Sequence, residues 1–148
     1  ALPADPDLLA ELARRAALAG ERSAAAALYD RLLLAPVPDD ADARASYLRT
    51  LNNACVHAHA TQLYDAAVRL ADHAQPMAAQ NPYLFHAAAC AYAAVRDYAR
   101  ALAQVQLAIE HDYDHVARIE HDADLGPLLD WPEMHALFRA WRARREGN

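Results

Sequence analysis

Apolar residues return every three or four positions along most of the chain, the spacing that lines one face of a helix. Leu8, Leu9, Leu12 and Ala16 form the first such stripe, and Gly20 interrupts it. Ala24, Ala25, Leu28, Tyr29, Leu32 and Leu33 form a second. The segment APVPDD at 35–40 then predicts a break, because two prolines so close together do not continue a helix. Asp40 or Asp42 is the candidate cap of a third helix, which runs to about Ala60 and carries Tyr47, Leu51, Ala54, Cys55 and Ala58. A fourth helix is predicted over 64–79, with Tyr64, Ala67, Val68, Ala71 and Ala74 on one face. QNP at 80–82 reads as a stop followed by a start, with Asn81 as N-cap and Pro82 in the first helical position. Two more helices follow, over 82–95 and 98–112. Few stretches alternate as a half-buried strand would, so the pattern predicts an all-α fold.

The helical pairs repeat. YDAAVRLADHA at 64–74 lies 34 residues before YARALAQVQLA at 98–108, so Tyr64, Ala67, Ala71 and Ala74 match Tyr98, Ala101, Val105 and Ala108. Leu51, Ala54 and Ala58 match Phe85, Ala88 and Tyr92 at the same interval. An earlier copy has Leu9, Leu12, Ala13 and Ala16 in its first helix, then Gly20, Ala25, Tyr29 and Leu32, with eight extra residues around APVPDD before the next unit. A helix–turn–helix unit of this period resembles the tetratricopeptide repeat family over about residues 5–112. The family's W-x₂-L-G-x₂-Y pattern is represented by Phe85, Ala88, Ala89 and Tyr92, and by Leu51, Ala54, Cys55 and Ala58. Its glycine position is taken by Ala13, Cys55 and Ala89, its second-helix alanine by Ala25, Ala67 and Ala101, and its closing alanine by Ala74 and Ala108. The resemblance implies a right-handed α–α superhelix in a single domain spanning 1–148, with units at about 5–35, 42–79 and 82–112. Small residues at these places let paired helices approach closely, while Tyr, Phe and Leu fill the remaining gaps.

The rest, 113–148, contains IEHDADLGPLLDWPEMHALFRAW, which resembles the segment that ends many bacterial arrays of this family. Asp122, Asp124, Leu125, Pro127, Leu128, Leu129, Asp130, Pro132, Met134 and Phe138 carry that likeness. Trp131 stands where an Asp would be usual, which deprives the last helix of its ordinary N-cap. A short helix near 122–129 and a longer one over 132–145 are expected. Leu128, Leu129, Met134, Leu137, Phe138 and Trp141 would cover the apolar face of the last repeat.

Composition narrows the chemistry. The 39 alanines and three glycines favour helix throughout, and 148 residues suffice for one domain with a real core. A net charge of −6 argues against a general nucleic-acid surface. All fourteen basic residues are arginine, so no lysine nucleophile or Schiff base is available. No run of 18 apolar residues predicts a membrane span, and the start lacks a signal-peptide layout, so a cytoplasmic protein is expected. Cys55 and Cys90 read as small buried residues at helix contacts; a bridge between them would suit an oxidising compartment, to which nothing else points. His57 and His59 point in nearly opposite directions on one helix. His111 and His115 have metal-ligand spacing, with Asp112, Asp114, Glu120, His121 and Asp122 nearby, but a helix end near Asp112 would spoil it. HDYDH also lacks the glutamate of a metalloprotease motif. Ser23 and Ser46 sit in no nucleophile elbow, the three glycines form no phosphate loop, and Asp39/Asp40 and Glu120/Asp122 read as exposed carboxylates. No catalytic residue, cofactor or metal site is therefore expected.

Binding is the remaining class. The first helix of each unit in such arrays lines a concave face. Helix phase places Arg14, Arg49, Asn52, Asn53, Val56, His59, Tyr83 and His86 there as candidate partner-binding residues. The carboxylate clamp of the family's co-chaperone branch is not reproduced, since only Asn53 falls on a clamp position while Ala10, Arg14 and Ala87 occupy others. Arg14, Arg49, Asn53 and His86 would instead hydrogen-bond an extended acidic peptide, with Tyr83 packing on it. The expected role is a protein-interaction scaffold docking a peptide or helix of a partner, as one domain of a larger bacterial regulator. A competing reading is a self-assembling repeat module, joined through Leu2, Leu8 and Leu9 or through Trp131 and Trp141. A more remote one is an immunity- or antitoxin-type inhibitor, in which the acidic stretch 110–133 occupies a basic site.

Overall fold

The computed structural model describes residues 5–147, so Leu2 lies outside the described residues. Among them no strand forms and the fold is all-α. Six helices make three antiparallel pairs: α1 (Pro6–Leu18) with α2 (Arg22–Leu33), α3 (Ala41–Ala60) with α4 (Tyr64–Ala74), and α5 (Tyr83–Ala94) with α6 (Tyr98–Glu110). The first helices of successive pairs lie side by side, α3 packing on both α1 and α5. Asp5 caps α1 by accepting the Asp7 amide at 3.0 Å, and of the two candidates for α3 it is Asp40 that caps, accepting the Ala43 amide at 2.9 Å. Asn81 accepts the Tyr83 amide at 3.3 Å, but α5 begins at Tyr83, one residue later than expected, so Pro82 and not Asn81 takes the N-cap place.

One backbone device closes every pair. The amides of Glu21, Leu63 and Asp97 donate to the carbonyls of Ala16, Ala58 and Tyr92 at 2.8–2.9 Å, six-residue bonds that end each first helix in a Schellman turn. Each turn passes through a left-handed residue: Gly20, Gln62 and Arg96, with φ between 63° and 80°. Only Gly20 adopts that conformation without steric cost, so the fold tolerates mild strain at Gln62 and Arg96 to keep the same reversal. Gln62 and Arg96 are 34 residues apart, like the side-chain pattern around them. Arg22 steadies the turn after α3, its guanidinium donating to the carbonyls of Thr61 and Gln62 at 3.0 and 2.7 Å.

Small residues fill the crossings. Ala13, Ala25, Ala58, Ala67, Ala89, Ala101 and Ala108 are fully buried, and Cys55 nearly so. Both cysteines are free. Tyr29, Leu32, Leu51, Phe85, Tyr92 and Val105 fill the spaces between. Polar ties accompany them: Thr50 of α3 donates to the Asp7 carboxylate of α1, and Tyr92 donates to Asp72 at 2.6 Å beneath the Arg100 guanidinium.

The expected helix over 64–79 is shorter. Regular α-helix ends at Ala74, because Pro76 has no amide to continue it, and a 3₁₀ turn, Gln75–Gln80, carries the chain to α5. Beyond α6 the chain adds a helical turn that the pattern did not suggest, α7 (Val116–Ile119), then a 3₁₀ segment Ala123–Asp130 and the last helix α8 (Pro132–Glu146). Gly126 sits in that segment at φ 54°, ψ −131°, a conformation open mainly to glycine. Leu125, Leu128, Met134 and Phe138 are buried against the last pair, whereas Leu129, Leu137 and Trp141 are only partly covered. Trp131 packs on Tyr98 and Trp141 on Phe138, and both tryptophans are partly buried. Leu9 is fully buried, so of the expected N-terminal patch that is described only Leu8 is exposed. No described helix is long and apolar enough to cross a membrane.

Two outcomes follow. Ala67→Leu and Ala101→Leu each force a large side chain into a closed crossing and should lower unfolding free energy by about 1–3 kcal/mol in urea titrations. Ala103→Leu, on the exposed face of α6, should stay within about 0.5 kcal/mol. His73 bonds the Tyr47 hydroxyl at 2.8 Å, and burial holds its pKa below the ordinary 6.5. The unfolded chain therefore binds the proton more readily, and stability should fall as pH drops below 6.5. In pH-dependent thermal melts His73→Gln should make that slope shallower, with His57, also lowered by burial, supplying a remainder.

Candidate functional site

Packing α3 against α5 turns two helix faces into one hollow, and the chain after α6 folds back to close one end. The floor comes from Asn52, Val56 and His59 of α3 and from Tyr83, His86, Ala87 and Cys90 of α5; Tyr113, Asp122 and Asp124 form the closed end. Its volume is about 220 Å³. At Asn52 and Tyr83 it meets a second, more polar hollow lined by Arg49, Asn53, Gln80 and Asn81. The two together make a trough along the α3–α5 seam, with Arg49 toward one end and the carboxylates of Asp122 and Asp124 at the other.

All the residues expected on the concave face line this trough except Arg14. Arg14 stays on α1 beside Glu11, 3.7 Å away, and does not join the others. Val56 and Tyr83 are the exposed apolar side chains of the set, 45% and 42% accessible. Asn52 stands at the junction of the two hollows, and its side-chain oxygen is buried beneath their surface with no hydrogen-bond partner among the described residues. His59 packs on Tyr64, 5.6 Å between ring centroids.

His86 is not the free peptide ligand that helix phase suggested. It is 17% exposed and held from both sides. Nε2–H donates to Asp122 Oδ2 at 2.6 Å, and Nδ1 shares a hydrogen bond of 2.9 Å with the Tyr113 hydroxyl. The Cys90 thiol donates to the same Oδ2 at 3.4 Å, and the Asp124 amide donates to Oδ1 at 3.0 Å. Asp122 thus caps the 3₁₀ segment while gripping α5. The hydrogen bond from His86 holds its carboxyl below the usual carboxylate range against the opposing effect of burial. Burial, then the Asp122 charge, pushes the Cys90 thiol far up, which keeps it a protonated donor rather than a nucleophile. Burial also raises Tyr113 to about 12. Asp122 is therefore a half-buried hub, not an exposed loop carboxylate.

The other acidic and histidine residues of the region disperse. α6 ends at Glu110, so the i, i+4 relation of His111 and His115 is lost: His111 stacks on Phe85, while His115 reaches the Tyr83 hydroxyl at 3.1 Å. Glu120 pairs with Arg142 of α8. The cluster with metal-ligand chemistry among the described residues is instead His86, Cys90 and Asp122, whose donor atoms lie within 4.8 Å of one another. In the sequence Cys90 reads as a packing residue, Asp122 as an exposed carboxylate and Asp124 as part of the end segment, while Tyr113 carries no signal; the one legible hint is the i, i+4 spacing of His86 and Cys90.

No protein-family model, curated protein or solved structure matches the chain. Removing the hub should be felt locally first. Asp122→Ala leaves His86 Nε2–H and the Asp124 amide without acceptors and should cost about 1.5–3 kcal/mol in denaturant unfolding, with faster amide exchange over 122–130. Asp124→Ala, at an exposed side chain, should change stability by no more than about 0.5 kcal/mol.

Proposed function

We propose that this chain is a tetratricopeptide-type scaffold whose α3–α5 trough holds an extended segment of another protein. The observation that carries this reading is the pair of exposed apolar side chains, Val56 and Tyr83, on the floor of a trough edged by Arg49 and Asn53 at one end and by Asp122 and Asp124 at the other. An extended strand of peptide supplies alternate side chains for such a floor and polar groups for its edges. The recurrence of hairpins, turns and buried alanines at 34 residues supports the scaffold half of the proposal.

The charge layout revises the expected ligand. A wholly acidic peptide would meet Asp122 and Asp124 at the closed end. The complementary segment carries a basic side chain toward those carboxylates, an apolar residue over Val56 and Tyr83, and an acidic or amide side chain near Arg49. The protonated Cys90 thiol and the absence of a serine from the trough lining favour binding over acyl-transfer chemistry.

The test is selection from a displayed library of random short peptides. Enriched sequences should share an apolar residue flanked by a basic one. Their affinity should fall at least about tenfold with Tyr83→Ala and with Val56→Arg, both at exposed positions that spare the core. No enrichment, or enriched peptides that bind both variants as well as the parent, refutes the groove reading. Self-association keeps one supporting observation, the exposure of Leu8, Leu18 and Leu34 on the first pair, Leu34 at 81%. A monomer mass by light scattering across concentrations would remove that second reading.

A further inference from the structure

His86 and Cys90 stand one turn apart on α5, and the backbone of that helix fixes them on the same face. Asp122 is brought to them from a different element, 32 and 36 residues along the chain. We propose that His86 Nε2, Cys90 Sγ and Asp122 Oδ2 form a zinc site at the closed end of the trough.

The donor set argues for the metal. One imidazole, one thiolate and one carboxylate suit a borderline-soft, tetrahedral divalent ion, and zinc accepts all three. Bond lengths of about 2.3 Å to sulfur and about 2.1 Å to nitrogen and oxygen place the donors of a tetrahedron roughly 3.4–3.6 Å apart. The Cys90–Asp122 separation of 3.4 Å already meets that figure. The His86–Asp122 separation of 2.6 Å has to widen by about 0.8 Å, a shift within reach of the Asp122 side chain.

The surroundings supply the rest of a metal site. Tyr113 touches the other imidazole nitrogen at 2.9 Å, the place of the outer-shell partner that orients a ligating histidine. On binding, the ring proton moves to Nδ1 and is donated to the Tyr113 oxygen, the thiol proton leaves to solvent, and two hydrogen bonds to Asp122 give way to metal bonds. Three protein donors leave a fourth position, and because all three line the hollow, that position opens into it. A water or a side chain of the bound segment would fill it. The site does not depend on the peptide reading, since its donors are held by α5 and the Asp122 cap alone.

Cobalt(II) reports on the site directly. Titrating the reduced protein with Co²⁺ should give tetrahedral visible bands and a near-ultraviolet thiolate charge-transfer band that saturate at one equivalent and vanish on adding Zn²⁺. Cys90→Ala and Cys90→Ser should abolish the charge-transfer band, and Tyr113→Phe should weaken binding by about tenfold or more. Measuring Co²⁺ binding without peptide, and peptide binding by the metal-free parent, separates the two proposals, because either can fail while the other stands. Parent protein with no charge-transfer band overturns the site irrespective of how any variant folds. So does a band of equal intensity in a folded Cys90 variant, folding being checked by circular dichroism.

Discussion

Close approach of helices through alanine is the constraint from which the rest follows. A buried alanine contributes little apolar area, but it surrenders no side-chain rotamer freedom when it is packed. It also lets helix axes approach toward the near end of the usual separation, where backbone atoms themselves make dispersion contacts. The three pairs use this at equivalent places, with Ala25, Ala67 and Ala101 fully buried in the second helices and Ala13, Cys55 and Ala89 in the first. Large side chains then act as fillers whose identity drifts: Leu9 and Leu51 occupy the position that the larger Phe85 fills in the last pair. A seam of small residues is unforgiving of additions and tolerant of exchanges elsewhere, so repeats diverge in sequence while keeping one geometry.

That geometry sets where the functional surface lies. Because the first helices stand side by side, the outward faces of α3 and α5 meet along one seam, and side chains from positions 49–59 and 80–90 share a trough. The turns contribute as much as the crossings. A single left-handed residue and a six-residue hydrogen bond reverse the chain identically after α1, α3 and α5, which keeps successive pairs in register. The chain beyond α6 reuses the same bond, Tyr113 to Ala108, and so delivers the Tyr113 ring to the trough instead of to solvent.

Asp122 joins architecture to chemistry. Its Oδ1 caps a short 3₁₀ segment and its Oδ2 gathers His86 and Cys90, so the element that covers the last apolar face also completes the polar end of the trough. One carboxylate with several donors is stable as an anion in a half-buried place, which is what a hub for basic side chains or a cation requires.

The sequence by itself determined the class of fold, the helix pairs, the break at APVPDD and, apart from Ala87 and Cys90, the side chains that α3 and α5 give to the main hollow of the trough. These are local matters, governed by 3.6-residue periodicity, proline and capping chemistry, which act within a few residues. It did not show the early end of α4 at Pro76, the extra turn at Val116–Ile119, or the separation of Arg14 from the other candidates. Least legible was the convergence of Tyr113 and Asp122 on His86 and Cys90. Helix phase predicts which face a side chain occupies, but not which distant segment folds over it; that was decided by the apolar residues Leu125, Leu128, Met134 and Phe138 seeking the uncovered end of the last pair.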